Sequence, residues 1–311
     1  MTFALLLAVA LPFAESKPLA VQIAVDQAGI SCNQIDGAWG EMSQRALEVF
    51  LANRRKNPAG PRPMTPDEAF DVFFAGRTNL FTTVTVTEKD VQSLVRIPAD
   101  PAAKAKLDRL GYESLEEMLA ERGHLSCIAL EKLNPDVDWS KAGPGTKVII
   151  PNFPPMEEEL DVWPRNRPDA PKRPRATLVK VSLSRFEITA YDANGRLLAL
   201  FPCSIAASKA KLPSRRELKI KTPVAGPNYT LTPDNQPAGR KPTRYILSAG
   251  PNSPVGVVWL GLDLASYGIH GTPYPQTIGR AESHGCFRLA NWNAARLYGL
   301  CGAGTRVVIE E

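Results

Sequence analysis

A chain of 311 residues is long enough for about two domains, each with its own core, and a content of 44% hydrophobic and 22% charged residues excludes a disordered or predominantly membrane-embedded protein. The formal net charge of +5 makes the surface mildly basic. That favours anionic surroundings in general and selects no one of wall polymer, lipid head group or nucleic acid.

Residues 3–11, FALLLAVAL, are apolar but fall short of the about 20 residues that a bilayer span needs, and polar Glu15-Ser16-Lys17 follow soon after. This is the pattern of a secretory leader cleaved near Ala14. Residues 1–16 are therefore expected to be a signal peptide, with the mature protein exported to the periplasm or cell wall and no stable membrane span remaining. No Lys or Arg precedes Lys17, so either a basic segment lies upstream of the given start or the stretch is a buried one.

The five cysteines (Cys32, Cys127, Cys203, Cys286, Cys301) contain no CxxC pair, which argues against a zinc ribbon or a thioredoxin-like motif. In an oxidising compartment an odd count leaves at least one thiol unpaired, with Cys286 the candidate. The other four allow three pairings, or are small buried hydrophobes.

From Val21 an amphipathic helical pattern runs to Gly29. Ile35-Asp36-Gly37-Ala38-Trp39-Gly40 makes a turn, and Ser43 to Asn53 forms a second helix burying Ala46, Leu47, Val49 and Phe50. Helix, I-D-G-x-x-G turn and helix ending in an aromatic together resemble the small peptidoglycan-binding module over residues 19–57, although a plain helical hairpin carries the same pattern. Pro58 to Pro66 reads as a linker and Thr82 to Thr87, TTVTVT, as a strand. A helix over Leu115 to Arg122, a shorter one ending in Leu133-Asn134-Pro135, and a Pro144-Gly145-Thr146 turn into an apolar strand resemble the second half of a LysM glycan-binding module. That assigns residues 80–152 as LysM-like, without a recognisable opening strand.

Seven prolines between Pro151 and Arg175, mixed with charged residues, predict a semi-extended linker over 153–175 that lets the C-terminal part reach while the N-terminal part holds. Beyond it come short strands. Thr177 to Leu183 and Arg185 to Tyr191 are followed by an Asp192-Ala193-Asn194-Gly195 hairpin turn and Arg196 to Phe201. Leu218 to Val224, Arg244 to Ser248, Val255 to Leu260 and Thr305 to Ile309 follow. One short helix, Trp292 to Leu300, has Asn291 as its N-cap. Lys209 to Lys221, with six basic residues, reads as a solvated loop. The fold class is thus multidomain: a small α-helical N-terminal module, a mixed α/β middle segment, and a mainly β C-terminal domain over 176–310, a barrel or sandwich with one helix.

Chemistry concentrates between His270-Gly271-Thr272 and Ser283-His284-Gly285-Cys286-Phe287-Arg288. In an extended segment residues two apart share a face, which groups His284, Cys286 and Arg288. An imidazolium nearby would lower the thiol pKa and raise the fraction of attacking thiolate. Gly285 admits a close approach of substrate and leaves the Cys286 amide for an oxyanion. Spacing leaves either histidine as the base; an imidazole arriving from a separate strand reaches the sulfur more easily, which favours His270.

The HG and SHGC-x-R motifs, preceded by Gly250-Pro251-Asn252-Ser253-Pro254-Val255-Gly256 and Trp259, resemble the L,D-transpeptidase catalytic domain of YkuD type over about residues 176–310. The resemblance implies Cys286 as nucleophile, His270 as general base, the Gly271 carbonyl as orienter of that base, His284 and Gly285 as shapers of the oxyanion site, and Arg288 and Ser283 as substrate-binding residues. It implies no cofactor. It also implies a cysteine acyltransferase acting on peptidoglycan stem peptides: a thioester forms with loss of D-Ala, and an amine then resolves it, giving a 3→3 crosslink or attachment of a protein through a lysine. Acylation of Cys286 by carbapenems is implied as well, and no nucleic-acid partner. Water as acceptor gives an L,D-carboxypeptidase with the same residues. Two further classes compete: a zinc site built from His270, His284 and Cys286, and a wall-binding protein without catalysis.

Overall fold

The computed structural model describes residues 11–54, 63–156, 160, 175–233, 242–283 and 285–311. In the N-terminal half the first long helix, α1 (Lys17–Gln27), starts with Pro18 in its first turn, where a missing N–H costs nothing. It is buried on every side from Leu19 through Asp26, not along one stripe. The expected amphipathic pattern fails here because α1 is the centre of a core and not its edge. Gln22 is the polar exception within it. Its Nε2 donates to Asp36 Oδ1, the Ala38 carbonyl and Ser43 Oγ at 2.9–3.0 Å, and its Oε1 accepts from the Gly37 N–H at 2.8 Å, so one buried amide shapes the whole Ile35–Gly40 turn. Helix α2 (Glu41–Arg54) follows and buries Ala46, Leu47, Phe50 and Leu51.

Strand β1 (Phe81–Thr85) pairs antiparallel with β2 (Lys147–Pro151), Phe81 opposite Pro151 and Thr85 opposite Lys147. Between them lie α3 (Leu115–Arg122), capped by the Ser114 hydroxyl on the Glu117 N–H, and α4 (Cys127–Leu133), capped by Ser126 on Ala129. Two short helices, Glu88–Gln92 and Pro101–Lys104, precede α3, so four helices stand between the two strands of the middle segment, and the first part of TTVTVT lies in its opening strand. The Asn134 side chain seals the module, accepting from Ile149 N–H at 2.7 Å and donating to Ile149 O at 2.8 Å.

Segments 19–57 and 80–152 are not separate bodies. Leu19, Ile23, Leu47 and Phe50 share a single hydrophobic cluster with Leu119, Leu130, Val148 and Ile150, and Leu200 of the C-terminal half joins the same cluster. Further ties cross between the halves: backbone N–H groups of Ser31 and Leu200 donate to Leu200 O and Gly29 O, at 2.9 and 3.0 Å, and Arg45 grips the Glu187 carboxylate with two bonds at 2.8 and 3.0 Å. The expectation of a free-reaching C-terminal part is corrected accordingly. The expected linker lies outside the described residues over 157–159 and 161–174.

The C-terminal half is one eight-stranded mixed sheet in the order β13-β11-β10-β7-β14-β3-β4-β5. Its strands are β3 (Leu178–Ser182), β4 (Glu187–Tyr191), β5 (Leu197–Pro202), β7 (Glu217–Ala225), β10 (Val258–Leu262), β11 (Gly268–His270), β13 (Phe287–Arg288) and β14 (Arg306–Glu310). Two small pairs complete it: β6 (Ile205–Ala206) with β12 (Ala281–Ser283), and β8 (Tyr229–Leu231) with β9 (Tyr245–Leu247). The Asp192–Gly195 turn forms as expected, with Asp192 Oδ1 accepting from the Asn194 and Arg196 N–H groups, both at 2.9 Å. Lys209–Lys221 is not all loop, since β7 begins at Glu217 and takes its basic residues as the outer half of an alternating strand. Helix α5 (Asn291–Leu300) lies across the sheet, with Leu297 and Tyr298 in the core. Ala290 holds the N-cap position, and Asn291 is instead the first helical residue with its side chain turned inward and fully buried.

All five cysteines are free thiols. Cys32, Cys203 and Cys301 are buried hydrophobes, so the disulfide pairings weighed for them are not formed; burial pushes the Cys301 thiol up to about 12. No described helix is long and apolar enough to cross a membrane.

Candidate active site

The site is built at one edge of the large sheet. Strand β11 is flanked by β10 on one side, where Trp259 opposes His270, and by β13 in parallel on the other, where Ile269 opposes Phe287 and His270 opposes Arg288. Alternation sends Ile269 and Phe287 into the core, at 1% and 0% exposure. His270, Arg288 and Trp259 consequently share the opposite face. Cys286 stands just before β13 on that face, its Sγ 3.5 Å from the Ser266 carbonyl and facing the Gly268 backbone, both at the approach to β11. Sequence motifs 16 residues apart thus meet because a parallel pair aligns their strands.

His270 is 5% exposed, and its ring lies against the Trp259 indole with centroids 5.5 Å apart at 23°. Its Nδ1 is 2.7 Å from the Gly271 carbonyl. A carbonyl only accepts, so Nδ1 carries the hydrogen and the Nε2 lone pair is left to take a proton. Burial drives the imidazole pKa down to about 4, the Gly271 carbonyl opposing and Arg288 reinforcing the shift. The Cys286 thiol is pushed up, chiefly by burial, with the Gly268 backbone and Arg288 partly offsetting it. Both shifts favour the uncharged forms of His270 and of the thiol. The imidazolium expected beside the thiol could equally be His284, which lies outside the described residues.

Gly285 has φ +145°, a backbone region closed to side chains, and a Cβ there would come within 3.0 Å of the Lys211 carbonyl and 3.1 Å of the Tyr267 ring. The turn that presents Cys286 therefore demands glycine. Arg288 exchanges two backbone hydrogen bonds with Ser204, both 2.9 Å. Ser283 ends β12, paired with Ala206. His284 lies outside the described residues, and with it part of the zinc set. Among the described residues no group of three His, Cys, Asp or Glu side chains could hold a metal ion.

The sequence reading missed one feature. Asn291 reaches under Gly271, and its side chain is bonded to Glu121 from the N-terminal half. An asparagine set among Leu289, Ala290 and Trp292 was its only trace in the sequence.

The YkuD L,D-transpeptidase catalytic domain matches residues 176–309. A protein of Bacillus licheniformis named putative L,D-transpeptidase YkuD is 31% identical over 201 residues, covering 63% of this chain and 93% of its own length. A putative L,D-transpeptidase of Fuscovulum blasticum is 36% identical over 117 residues, which are 38% of this chain and 60% of that protein. Among solved structures, L,D-transpeptidase 3 of Mycobacterium tuberculosis with a faropenem-derived adduct aligns at 17% identity and a TM-score of 0.35, over 44% of this chain and 60% of that one. The Bacillus alignment is longer than the catalytic segment and so reaches N-terminal of residue 176. With His270 and Arg288 paired on adjacent strands and 93% of a relative covered at 31% identity, this chain belongs to the YkuD-type L,D-transpeptidase family.

Proposed function

We propose that the protein is an exported L,D-transpeptidase that acts on peptidoglycan tetrapeptide stems through a Cys286 thioester. The observation that carries the proposal is the buried His270, whose Nδ1 is fixed on the Gly271 carbonyl, leaving the Nε2 lone pair free, on a strand paired with the one that Cys286 immediately precedes. In the first half-reaction Sγ attacks the carbonyl preceding the terminal D-Ala as its proton passes to His270 Nε2. The S–C bond forms, the C–N bond breaks, and the proton leaves with the D-Ala amine. The Cys286 amide, with Gly285 and His284 shaping the site, receives the oxyanion, and Arg288 and Ser283 hold the anionic stem. In the second half-reaction an amine attacks the thioester, His270 accepts its proton, and the thiol is released. A diamino-acid side chain as acceptor yields a 3→3 crosslink, and a protein lysine yields a wall-anchored protein.

The antiparallel β1–β2 pair, with α3 and α4 leading into β2, supports reading residues 80–152 as a LysM-like glycan-binding segment. The turn organised by Gln22 supports the peptidoglycan-binding-like reading of 19–57.

Incubation with a disaccharide-tetrapeptide, followed by mass spectrometry, tests the function. Loss of D-Ala with appearance of a dimer is expected. Loss without a dimer identifies an L,D-carboxypeptidase, and unchanged substrate overturns both. A carbapenem should add one drug mass to the peptide bearing Cys286, whereas an adduct elsewhere would remove Cys286 as nucleophile.

A further inference from the structure

We infer that Glu121, on α3 of the N-terminal half, is a positioning residue for the active site: its carboxylate holds the buried Asn291 amide against the Gly256–Gly271 backbone that fixes His270. The inference rests on the reading of His270 as the base.

Asn291 is 0% exposed. Its Nδ2 donates to Glu121 Oε2 at 3.1 Å, to Glu121 Oε1 at 3.3 Å and to the Pro251 carbonyl at 3.0 Å, while its Oδ1 accepts from the Val257 N–H at 3.3 Å. Acceptors on one side and a donor on the other leave the amide a single orientation. That oxygen lies against both Gly256 and Gly271. Gly256, at φ +59°, is packed so closely that a Cβ would come within 2.7 Å of the Gly271 Cα, and a Cβ on Gly271 would come within 3.2 Å of the Gly256 Cα. Gly271 is the residue whose carbonyl takes the Nδ1–H of His270. A displacement of the Asn291 amide is therefore a displacement of the base, and a close-packed interior transmits it without slack.

Glu121 is itself held, since the Tyr112 hydroxyl donates to its Oε1 at 2.8 Å. The segment around it is stitched to the loop carrying Pro251 and Gly256. Leu110 N–H donates to Ala249 O and Asn252 N–H to Leu110 O, both at 3.0 Å, and Asn252 Nδ2 donates to Gly111 O at 2.9 Å and Glu117 Oε1 at 2.7 Å. The glycan-module-like segment thus forms the outer wall of the catalytic loop. Glu121 differs from the other stitches in one respect: it reaches the residue that touches Gly271, whereas Glu117 reaches only the loop.

The test compares full-length wild type with Glu121→Ala, Glu121→Gln and, as a control stitch, Glu117→Ala. One readout is single-turnover D-Ala release from disaccharide-tetrapeptide. The other is the pH profile of Cys286 alkylation by iodoacetamide, followed on the Cys286 peptide so that the exposed Cys127 does not interfere. Glu121→Ala should lower the maximal rate about 10- to 100-fold with KM within about twofold, the size expected of a small misplacement of a reacting group. Its acid limb should move up toward the ordinary imidazole range as the loosened site hydrates. Glu121→Gln, which keeps one acceptor oxygen, should restore most of the rate. Glu117→Ala should lower the melting temperature and leave the pH profile in place. An Ala variant that melts normally with wild-type rate and profile would overturn the inference. So would an effect confined to KM, or a Gln variant as slow as Ala. If Glu121→Ala does not fold, Glu121→Asp, whose shorter side chain draws the carboxylate back from Asn291, takes its place, and a folded Asp variant with wild-type rate and profile rejects the inference. Absence of D-Ala release by wild type refutes the proposed function alone, because the alkylation profile still reads the Glu121 effect.

Discussion

His270 and His124 are built alike up to the ring nitrogen. Each ring lies flat on a tryptophan, Trp259 at 5.5 Å for His270 and Trp292 at 5.2 Å for His124, and His124 is also stacked on Phe153 at 3.9 Å. They part at Nδ1. In His270 it meets a neutral carbonyl at 2.7 Å; in His124 it meets the fully buried Asp26 carboxylate at 3.1 Å. Arg296 approaches the same carboxylate at 3.8 Å and donates to the Asp26 carbonyl at 2.8 Å. One carboxylate therefore ties α1, the turn after α3, and α5 together. An imidazole on a carbonyl in a dry site keeps a basic Nε2 ready for a thiol, while an imidazole on a carboxylate becomes part of a staple between the halves. Aromatic packing alone does not make a base, and the partner of the second nitrogen decides the role.

The sharpest way to break this contrast is His270→Gln. Acyl transfer should fall by about 10²- to 10⁴-fold, the usual span for a lost general base, with the protein still folded at pH 7. The same variant carries a stability signature. The folded imidazole titrates near 4 and the unfolded one near 6.5, so between these values only the unfolded chain binds the proton. Wild-type stability should drop by about 3 kcal/mol as pH falls through that window, and the Gln variant should lack this part of the slope. Urea melts at pH 7, 5.5 and 4.5 read the difference; equal slopes would mean that His270 is hydrated in the folded state. Asp26→Asn is the mirror experiment. It should cost about 3 kcal/mol, as expected for one partner removed from a buried ion cluster, with kcat unchanged. A fall in kcat at an unchanged melting temperature would show that the staple acts on the chemistry. Smallest in effect is Glu187→Gln, which weakens the Arg45 clamp between α2 and β4 at a partly exposed site. About 1 kcal/mol of stability and no activity should be lost, and a larger loss would mean that the interface between the halves rests on that pair.

The legible parts of this protein were the local ones. The Asp192–Gly195 hairpin turn, the short-strand rhythm beyond residue 176 and the HG and SHGC-x-R motifs each carry their signal within a few residues, through turn chemistry or period-two alternation. His270 and Cys286 could be matched because one parallel strand pair brings their motifs together. What escaped was decided by pairings across long stretches of chain. The link from Glu121 to Asn291 spans 170 positions and that from Asn33 to the Pro275 carbonyl spans 242, and no periodicity records either. The all-round burial of α1 has the same origin, because a helix covered on every side has lost the stripe that a sequence pattern detects. The proline-rich stretch was misleading for the opposite reason: its composition describes that segment faithfully but is silent on whether the bodies at its two ends touch.

The place of β14 bears on when the sheet is complete. Residues 306–310 form the fifth of eight strands, paired in parallel with β3 and antiparallel with β7. Within the sheet, β11 with His270 and β13, which Cys286 precedes, join the β3-β4-β5 hairpins only through this strand. Until residues 306–310 have paired, Cys286 and His270 thus stand on an unfinished sheet, and pairing of such high sequence separation is the slow step of β assembly. The face that groups His270 with Arg288 is anchored to the rest of the sheet only when this strand has inserted, so its geometry is a product of the last pairing and not of the local motifs.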